Sequence, residues 1–292
     1  MKLVFQQTRM GKAVSTTVMM PLVEAISASV IRNPHALTSV ARLKQHDGFT
    51  YMHSVAVCAL MTALACELEL DEQTIREAGA AGLMHDIGKS LMRLDVLNKP
   101  GKLTAEEFEI AKIHPEDGWR LLQGANVSAG VLQVALHHHE KVDGSGYPHK
   151  LSGDAIPLLA RMAAVCDVYD AVTSDRPYKA AWQPVKALRS MASWEAHFDK
   201  TIFAAFVKCI GIYPVGTLVR LESRHLAVVL DQNRGAISAP VVKKFFSTKS
   251  NQPVIPHVLN LEKAQGSDRI VRVEDPKAWN FPHLTDNWLL VS

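Results

Sequence analysis

The segment Ala80-Ala81-Gly82-Leu83-Met84-His85-Asp86-Ile87-Gly88-Lys89 decides how this chain is read. It opens as an apolar helical run, yet Gly79 and Gly82 interrupt it. Glycine weakens a helix interior by about 1 kcal/mol relative to alanine, so its presence there predicts the close approach of a neighbouring helix. His85 and Asp86 follow directly. Two polar groups at the end of such a run are costly to bury unpaired. Metal coordination offsets that cost, because imidazole and carboxylate become ligands instead of stranded polar groups.

Reading outward, four other segments place His or Asp against apolar helical patterns. His53 opens the run Val55–Leu68, and His114 precedes Pro115, a residue suited to a first helical turn. His137-His138-His139-Glu140 ends the run Val131–Leu136, and Asp167 lies inside Leu158–Val172. Each residue alone reads as an ordinary hydrogen-bonded core or surface group. Together, five His-or-Asp sites in one helical region point to a metal centre. Thr104 followed by Glu107 forms a capping-box pattern, and Ser152 and Asp154 ahead of Pro157 predict another helix start.

From about Pro21 to Ile212, apolar residues recur at helical spacing. The pattern changes at Gly211-Ile212-Tyr213-Pro214-Val215-Gly216. Beyond it lie the short β-rich runs Leu218–Leu221, Ala227–Leu230, Val241–Phe246, Val254–Leu261 and Ile270–Val273, separated by turn residues at Asn233–Gly235 and Gly266–Asp268. The expected organisation is an N-terminal segment 1–20, a helical domain 21–212 and a small β-rich appendage 213–292. His225, His257 and His283 in the appendage lie far from the other histidines and read as surface or packing residues.

Composition narrows the function classes. The 292 residues are 48% apolar, enough for one large core with an appendage. A formal charge of +3 gives no DNA-wrapping surface, so an anionic partner must be met by local clusters. Cys58, Cys66, Cys166 and Cys209 are widely spaced, as expected for small buried residues in a reducing compartment. Residues 1–9 are polar, which is unlike a signal peptide, and the apolar run Ser54–Cys66 is shorter than the about 20 residues that span a bilayer. A cytoplasmic protein without a membrane span is the expectation.

Three motifs in order then give a resemblance. His85-Asp86-Ile87-Gly88-Lys89 resembles the signature of the HD-superfamily phosphohydrolases. His138-His139-Glu140-Lys141-Val142-Asp143-Gly144-Ser145-Gly146-Tyr147-Pro148 is similar to the signature of their HD-GYP subgroup. Asp167-Val168-Tyr169-Asp170-Ala171, followed by Arg176-Pro177-Tyr178-Lys179, resembles a third stretch of that subgroup. The likeness covers roughly residues 50–214.

The resemblance implies a mainly α, HD-type helical bundle, carrying here a small C-terminal β-rich appendage. Carried over by position, it implies metal ligation by His53, His85, Asp86, His114, His138, His139 and Asp167, with Asp86 bridging two metals and His137 one position out of register. Some members hold a third metal through a Glu four residues before the His53 position; Phe49 stands there in this chain, which implies two metals. Imidazole-rich ligation suits two divalent transition ions, iron or manganese, with zinc also compatible. The implied activity is hydrolysis of cyclic di-GMP by a metal-bridging hydroxide to linear pGpG, with GMP, from cleavage of both diester bonds, as the alternative end product.

Lys89, about one turn beyond His85, is expected to offer a cation to the phosphorane, and Arg176 and Lys179 to grip substrate. Tyr147 would form pocket wall, and its loop a docking surface for GGDEF-type cyclase domains. Two alternatives stand beside this: a catalytically weak cyclic-dinucleotide receptor or partner-binding module, and a phosphohydrolase of a mixed cyclic dinucleotide.

Overall fold

The computed structural model describes residues 1–32, 49–174, 180–233, 235–264 and 268–281. Arg176 and Lys179 lie outside the described residues, as do Arg234 and Gly266 of the two expected turns, and His283. The described part divides into two compact units: residues 1–182 with 190–206, and residues 183–189 with 207–292. The second unit thus includes a helical stretch, Gln183–Arg189, besides the β-rich tail.

The first unit is helical. Its elements are α1 (Lys2–Arg9), α2 (Thr16–Arg32), α3 (Phe49–Glu67), α4 (Glu72–Met84), α5 (Leu94–Leu97), α6 (Ala105–Ala111), α7 (His114–Gln123), α8 (Ala129–His137) and α9 (Leu158–Thr173). Two further helices, α10 (Pro184–Ala192) and α11 (Lys200–Ile210), each run across a boundary between the units. The central helix α3 is apolar all round, with Val57, Cys58, Ala59, Met61, Leu64 and Ala65 fully buried, which is the pattern of a helix enclosed by others. Helix α4 packs against it. Asp71 caps α4 by accepting from the backbone N–H of Thr74 at 3.0 Å.

Gly82 explains the intimacy of that packing. A Cβ there would lie 2.8 Å from the carbonyl oxygen of Val57 and 2.9 Å from the backbone of Cys58. Only a residue without a side chain lets α4 come so close, as the interrupted apolar run predicts.

Several local expectations hold. Thr104 and Glu107 form the complete capping box of α6, and Pro115 sits in the first turn of α7. Others do not. Helix α9 begins at Leu158 with Pro157 as its N-cap, and no side chain caps it. Ser152 and Asp154 belong instead to a separate short 3₁₀ turn at Gly153–Ala155. Pro157 has no N–H and fixes its own φ, so it enters the helix without a hydroxyl or carboxylate partner. Helix α2 continues through Pro21, held by a buried stripe of Met19, Val23, Ser27 and Val30. Ahead of it, α1 is helical and packs on the 3₁₀ helix Ile87–Leu91, with Val4 and Phe5 buried.

The second unit carries one antiparallel sheet, β1 (Leu218–Leu221), β2 (His225–Asp231), β3 (Val241–Ser247), β4 (Gln252–Asn260) and β5 (Ile270–Val273), in the order β4-β3-β2-β1-β5. The strands fall where the β-rich runs predict, within two residues. Period-2 alternation sends Leu226 and Val228 to one face and Ala227 and Val229 to the other. Both faces of β2 are apolar, because each is covered: one by Leu261 and Tyr213, the other by Phe245, Trp279 and Phe281. His225 and His257 sit on strands β2 and β4.

Candidate metal centre

Helix ends build the site. His85 is the C-cap of α4, His138 is the C-cap of α8 with His139 next to it, and His114 is the first residue of α7. Asp86 is the N-cap of the 3₁₀ helix Ile87–Leu91. His53 comes from α3, and Asp167 from α9. The 3₁₀ helix reaches α7 through Gly88, where a Cβ would sit 1.9 Å from the His114 carbonyl oxygen and 2.5 Å from the Gly118 nitrogen. That backbone contact is what brings His114 to Asp86.

Three of these imidazoles bond to carbonyls in the last turn of a helix, where such groups lack some or all of their intrahelical partners. His85 Nδ1 donates to Gly82 O (2.8 Å), His114 Nδ1 to Ala111 O (2.6 Å), and His138 Nδ1 to Val134 O and Ala135 O (3.0 and 3.1 Å). A carbonyl can only accept, so each Nδ1 carries the proton. His53 Nδ1 meets Asp170 Oδ2 at 2.7 Å in the same sense. Four rings therefore present Nε2 to the centre, their orientation set by a second hydrogen bond as is usual for metal-binding histidines.

These Nε2 atoms sort themselves over the two oxygens of Asp86. His114 and His138 face Oδ1 at 3.3 and 3.6 Å; His53 and His85 face Oδ2 at 3.6 and 3.4 Å. The same division appears when donor atoms are grouped by mutual distance. Asp86, His114, His138 and His139 form one set and His53, His85 and Asp86 another, each within 4.8 Å. Asp86 is common to both. Asp167 stands beside them, with Oδ1 at 2.9 Å from His53 Nε2 and Oδ2 at 3.8 Å from His139 Nδ1.

Two observations show that these residues fit a cation. His114 Nε2 and His138 Nε2 lie 3.3 Å apart although both rings carry their proton on Nδ1, so two lone pairs converge. His85 Nε2 and Asp86 Oδ1 are buried with no hydrogen-bond partner. A buried polar atom left unsatisfied costs about 1–3 kcal/mol, more when charged. The ion-pair separations of these two atoms, 3.3–3.6 Å, do not relieve it, because they lack hydrogen-bond geometry. A cation between these donors removes both penalties.

The electrostatics agree. Burial acts to raise the carboxyl of Asp86, but the neighbouring His85 and the Lys89 ammonium, with the imidazoles of His114 and His138 facing it, hold it well below the usual range. Burial likewise opposes ionisation of Asp167, yet its bond to His53 and the surrounding imidazoles keep it far below its ordinary value. Burial pushes His114 down to about 4 and His139 well below its ordinary value, so both offer lone pairs at neutral pH. His53 goes the other way: burial lowers it, but hydrogen bonds to Asp167 and Asp170 and their charges prevail and bring it to about 9 without a metal. A bound cation would take the place of that proton.

Lys89 lies near the centre by a different route from the one its spacing predicts. Helix α4 stops at Met84, and Lys89 stands on the 3₁₀ helix, its Nζ 2.5 Å from Asp86 Oδ2. Tyr147 stacks obliquely on His139, with ring centroids 4.8 Å apart. Burial and the charges of Asp167 and Asp86 raise its phenol, which stays protonated. His137 is buried but turned away, toward Glu140 (3.8 Å) and the His149 ring. Phe49 opens α3, four residues ahead of His53.

Two contributors escape a reading of ligand types alone. Asp170 fixes the His53 ring, and the signal for it is its spacing of three from Asp167, on the buried face of the helix. Glu140 is buried and accepts from the backbone N–H groups of His149 (2.7 Å) and Leu151 (3.1 Å), pinning the loop that carries Tyr147.

The HD domain family profile matches residues 30–202, more than half of the chain. A cyclic di-GMP phosphodiesterase of Pseudomonas aeruginosa is 55% identical over 285 residues, covering 97% of this chain and 69% of that protein. A cyclic di-GMP phosphodiesterase response regulator of Xanthomonas campestris is 43% identical over 161 residues, 54% of this chain and 42% of that one. A 3'3'-cGAMP-specific phosphodiesterase of Vibrio cholerae is 41% identical over 131 residues, 45% of this chain and 30% of that one. The chain thus spans about two thirds of the first relative's length and less than half of the other two.

Proposed function

The chain belongs to the HD domain family of metal-dependent phosphohydrolases, and on that premise we propose that it is a phosphodiesterase that opens cyclic di-GMP to linear pGpG and carries it on to GMP. The observation that supports this best is the division of four Nε2 atoms over the two oxygens of Asp86, one pair to each. Such a carboxylate is suited to bridge two ions. We assign His53, His85, Asp86 and Asp167 to one ion and Asp86, His114, His138 and His139 to the other. The donor set suits iron or manganese. When bound, such a pair supplies Lewis acidity to a phosphodiester oxygen and lowers the pKa of water enough to give a nucleophile at neutral pH.

The chain's own residues do the rest. The backbone carbonyls of α4, α6 and α8 hold three imidazoles in one tautomer, and Asp170 holds the fourth. Lys89, beside Asp86, offers a cation where charge develops on the phosphoryl group. Tyr147 forms wall next to His139. Arg176 and Lys179, outside the described residues, take the substrate-gripping role on their motif alone, and the loop at Gly144–Pro148 takes that of a docking surface for GGDEF-type cyclase domains.

We place the protein in the cytoplasm, on its cysteine usage: the four cysteines, all among the described residues, form no disulfide. Among the described residues no helix is long and apolar enough to cross a membrane.

A mixed cyclic dinucleotide is the second reading, favoured by the Vibrio relative; the higher identity and fuller coverage of the Pseudomonas relative favour cyclic di-GMP. Turnover of the two substrates compared side by side decides between them. The expected result is a higher kcat/KM with cyclic di-GMP; preference for 3'3'-cGAMP would overturn the assignment of substrate, and binding without turnover of either would make the chain a receptor.

A further inference from the structure

Helix α6 is unusual in burying nothing: none of its seven residues is buried. It is held by its capping box and by the ion pair of Lys99 with Glu107 (2.6 Å). Phe108, at its centre, leaves 46% of its surface open. A single exposed phenylalanine is ordinary, but this one has company. Its ring lies edge-to-face with Tyr147, centroids 6.4 Å apart, and Tyr147 in turn rests on the candidate ligand His139. Lys112 holds Nζ 4.9 Å from the Phe108 centroid and 5.9 Å from that of Tyr147, while pairing with Glu109 at 2.7 Å. Helix α6 is also the helix whose Ala111 carbonyl orients His114. An aromatic ladder therefore runs outward from the metal centre, His139 to Tyr147 to Phe108, with a cation over its outer two rings.

Taking the phosphodiesterase reading as its basis, we propose that Phe108 is a specificity-determining residue that stacks a purine base of the cyclic dinucleotide, with Lys112 beside it facing a phosphate. The chemistry matches: purines carry π-faces that stack on aromatic side chains whatever their edge pattern, and a lysine meets phosphate as a point charge. The two halves of a cyclic dinucleotide each bring a base and a phosphate. When one phosphate sits at the metals, a base and the second phosphate must be received nearby, and the ladder offers an apolar ring and a cation on that side. The open face of Phe108 is then ligand surface and not a packing defect.

The test compares wild type, Phe108→Ala, Phe108→Tyr and Lys112→Met in the full chain, loaded with metal. Each is assayed with cyclic di-GMP and with bis(p-nitrophenyl) phosphate, a diester without a purine, and each is analysed for metal. Loss of one base stack is expected to reduce the preference for cyclic di-GMP over the purine-free diester roughly tenfold or more in Phe108→Ala, chiefly through KM. Phe108→Tyr should restore it, metal content should stay at the wild-type level, and Lys112→Met should raise KM for cyclic di-GMP. An unchanged preference in Phe108→Ala overturns the proposal. So does a parallel loss of both activities together with metal, which would make Phe108 a support for α6 and His114. If wild type cleaves the purine-free diester but not cyclic di-GMP, it is the phosphodiesterase reading underneath that fails, and the stacking role fails with it.

Discussion

At Asp86 a single carboxylate is faced by four imidazoles and a lysine ammonium, an arrangement that would be strained without a cation between the donors. Asp86→Ala is therefore expected to empty both ion positions and abolish activity together, whereas loss of His114 alone should spare the other set in part. Metal analysis of the purified variants checks this, and a metal-replete, active Asp86→Ala protein would exclude a shared carboxylate. Asp170 acts one step further out. Asp170→Asn keeps its size but removes the charge that holds the Nδ1 proton of His53. A partner of this kind typically contributes 10- to 100-fold in metal affinity. Titration with a competing chelator should show a shift of that order with the fold intact, and an unchanged midpoint would mean that His53 needs no such support. The ligand types were legible in the sequence because His and Asp inside apolar runs are conspicuous. Asp170 was not singled out, since the distinction between an inner donor and its support lies in three-dimensional contacts that spacing leaves open.

Among the elements, helix termini carry the chemistry: three carbonyl-rich ends converge, and a 3₁₀ helix delivers Asp86 and Lys89 between them. Close backbone contact at Gly88 locks that convergence. Gly88→Ala should force the 3₁₀ helix away from α7; overpacking of this sort costs about 1–3 kcal/mol or more, or several degrees in Tm for a domain of this size. Calorimetry and metal analysis should report both losses, and a wild-type Tm with full metal content would remove Gly88 from the account. Thr104→Ala, which deletes the N-cap of α6, is expected to lower stability by about 0.5–2 kcal/mol, read by denaturant unfolding.

Gly79 and Gly82 predicted close helix contacts correctly, and apolar periodicity placed the helices. The end of α4 at Met84 was not legible, because His85 and Asp86 could equally continue a helix until the contacts of the 3₁₀ turn with α7 are known. The capping of α9 was misread for a similar reason. Ser152 and Asp154 have capping chemistry, but the chain spends them on a separate turn before Pro157.

On the scale of the whole chain, the shift from helical to β periodicity near Gly211 is matched by a five-stranded sheet beginning at Leu218. That Gln183–Arg189 clusters with this sheet was invisible locally, since a helix shows its own apolar face but not its partner. All residues of the candidate centre lie in the first unit. We propose that the chemistry resides there, so a chain ended after Tyr213 should retain its metals and turnover if it stays monodisperse by size-exclusion chromatography. A monodisperse, metal-loaded but inactive shortened protein would assign the second unit a part in catalysis.

The central claim is that this chain hydrolyses cyclic di-GMP at a metal centre that the residues around Asp86 would hold, and one measurement addresses it directly. Anaerobically purified full chain is incubated with cyclic di-GMP as isolated, after chelation, and after reloading with iron or manganese, and the products are identified. The account predicts linear pGpG, and then GMP, from the isolated and reloaded protein and intact substrate after chelation. Cyclic di-GMP left whole by the metal-loaded protein, or cleaved as fast after the metals are removed, would contradict it.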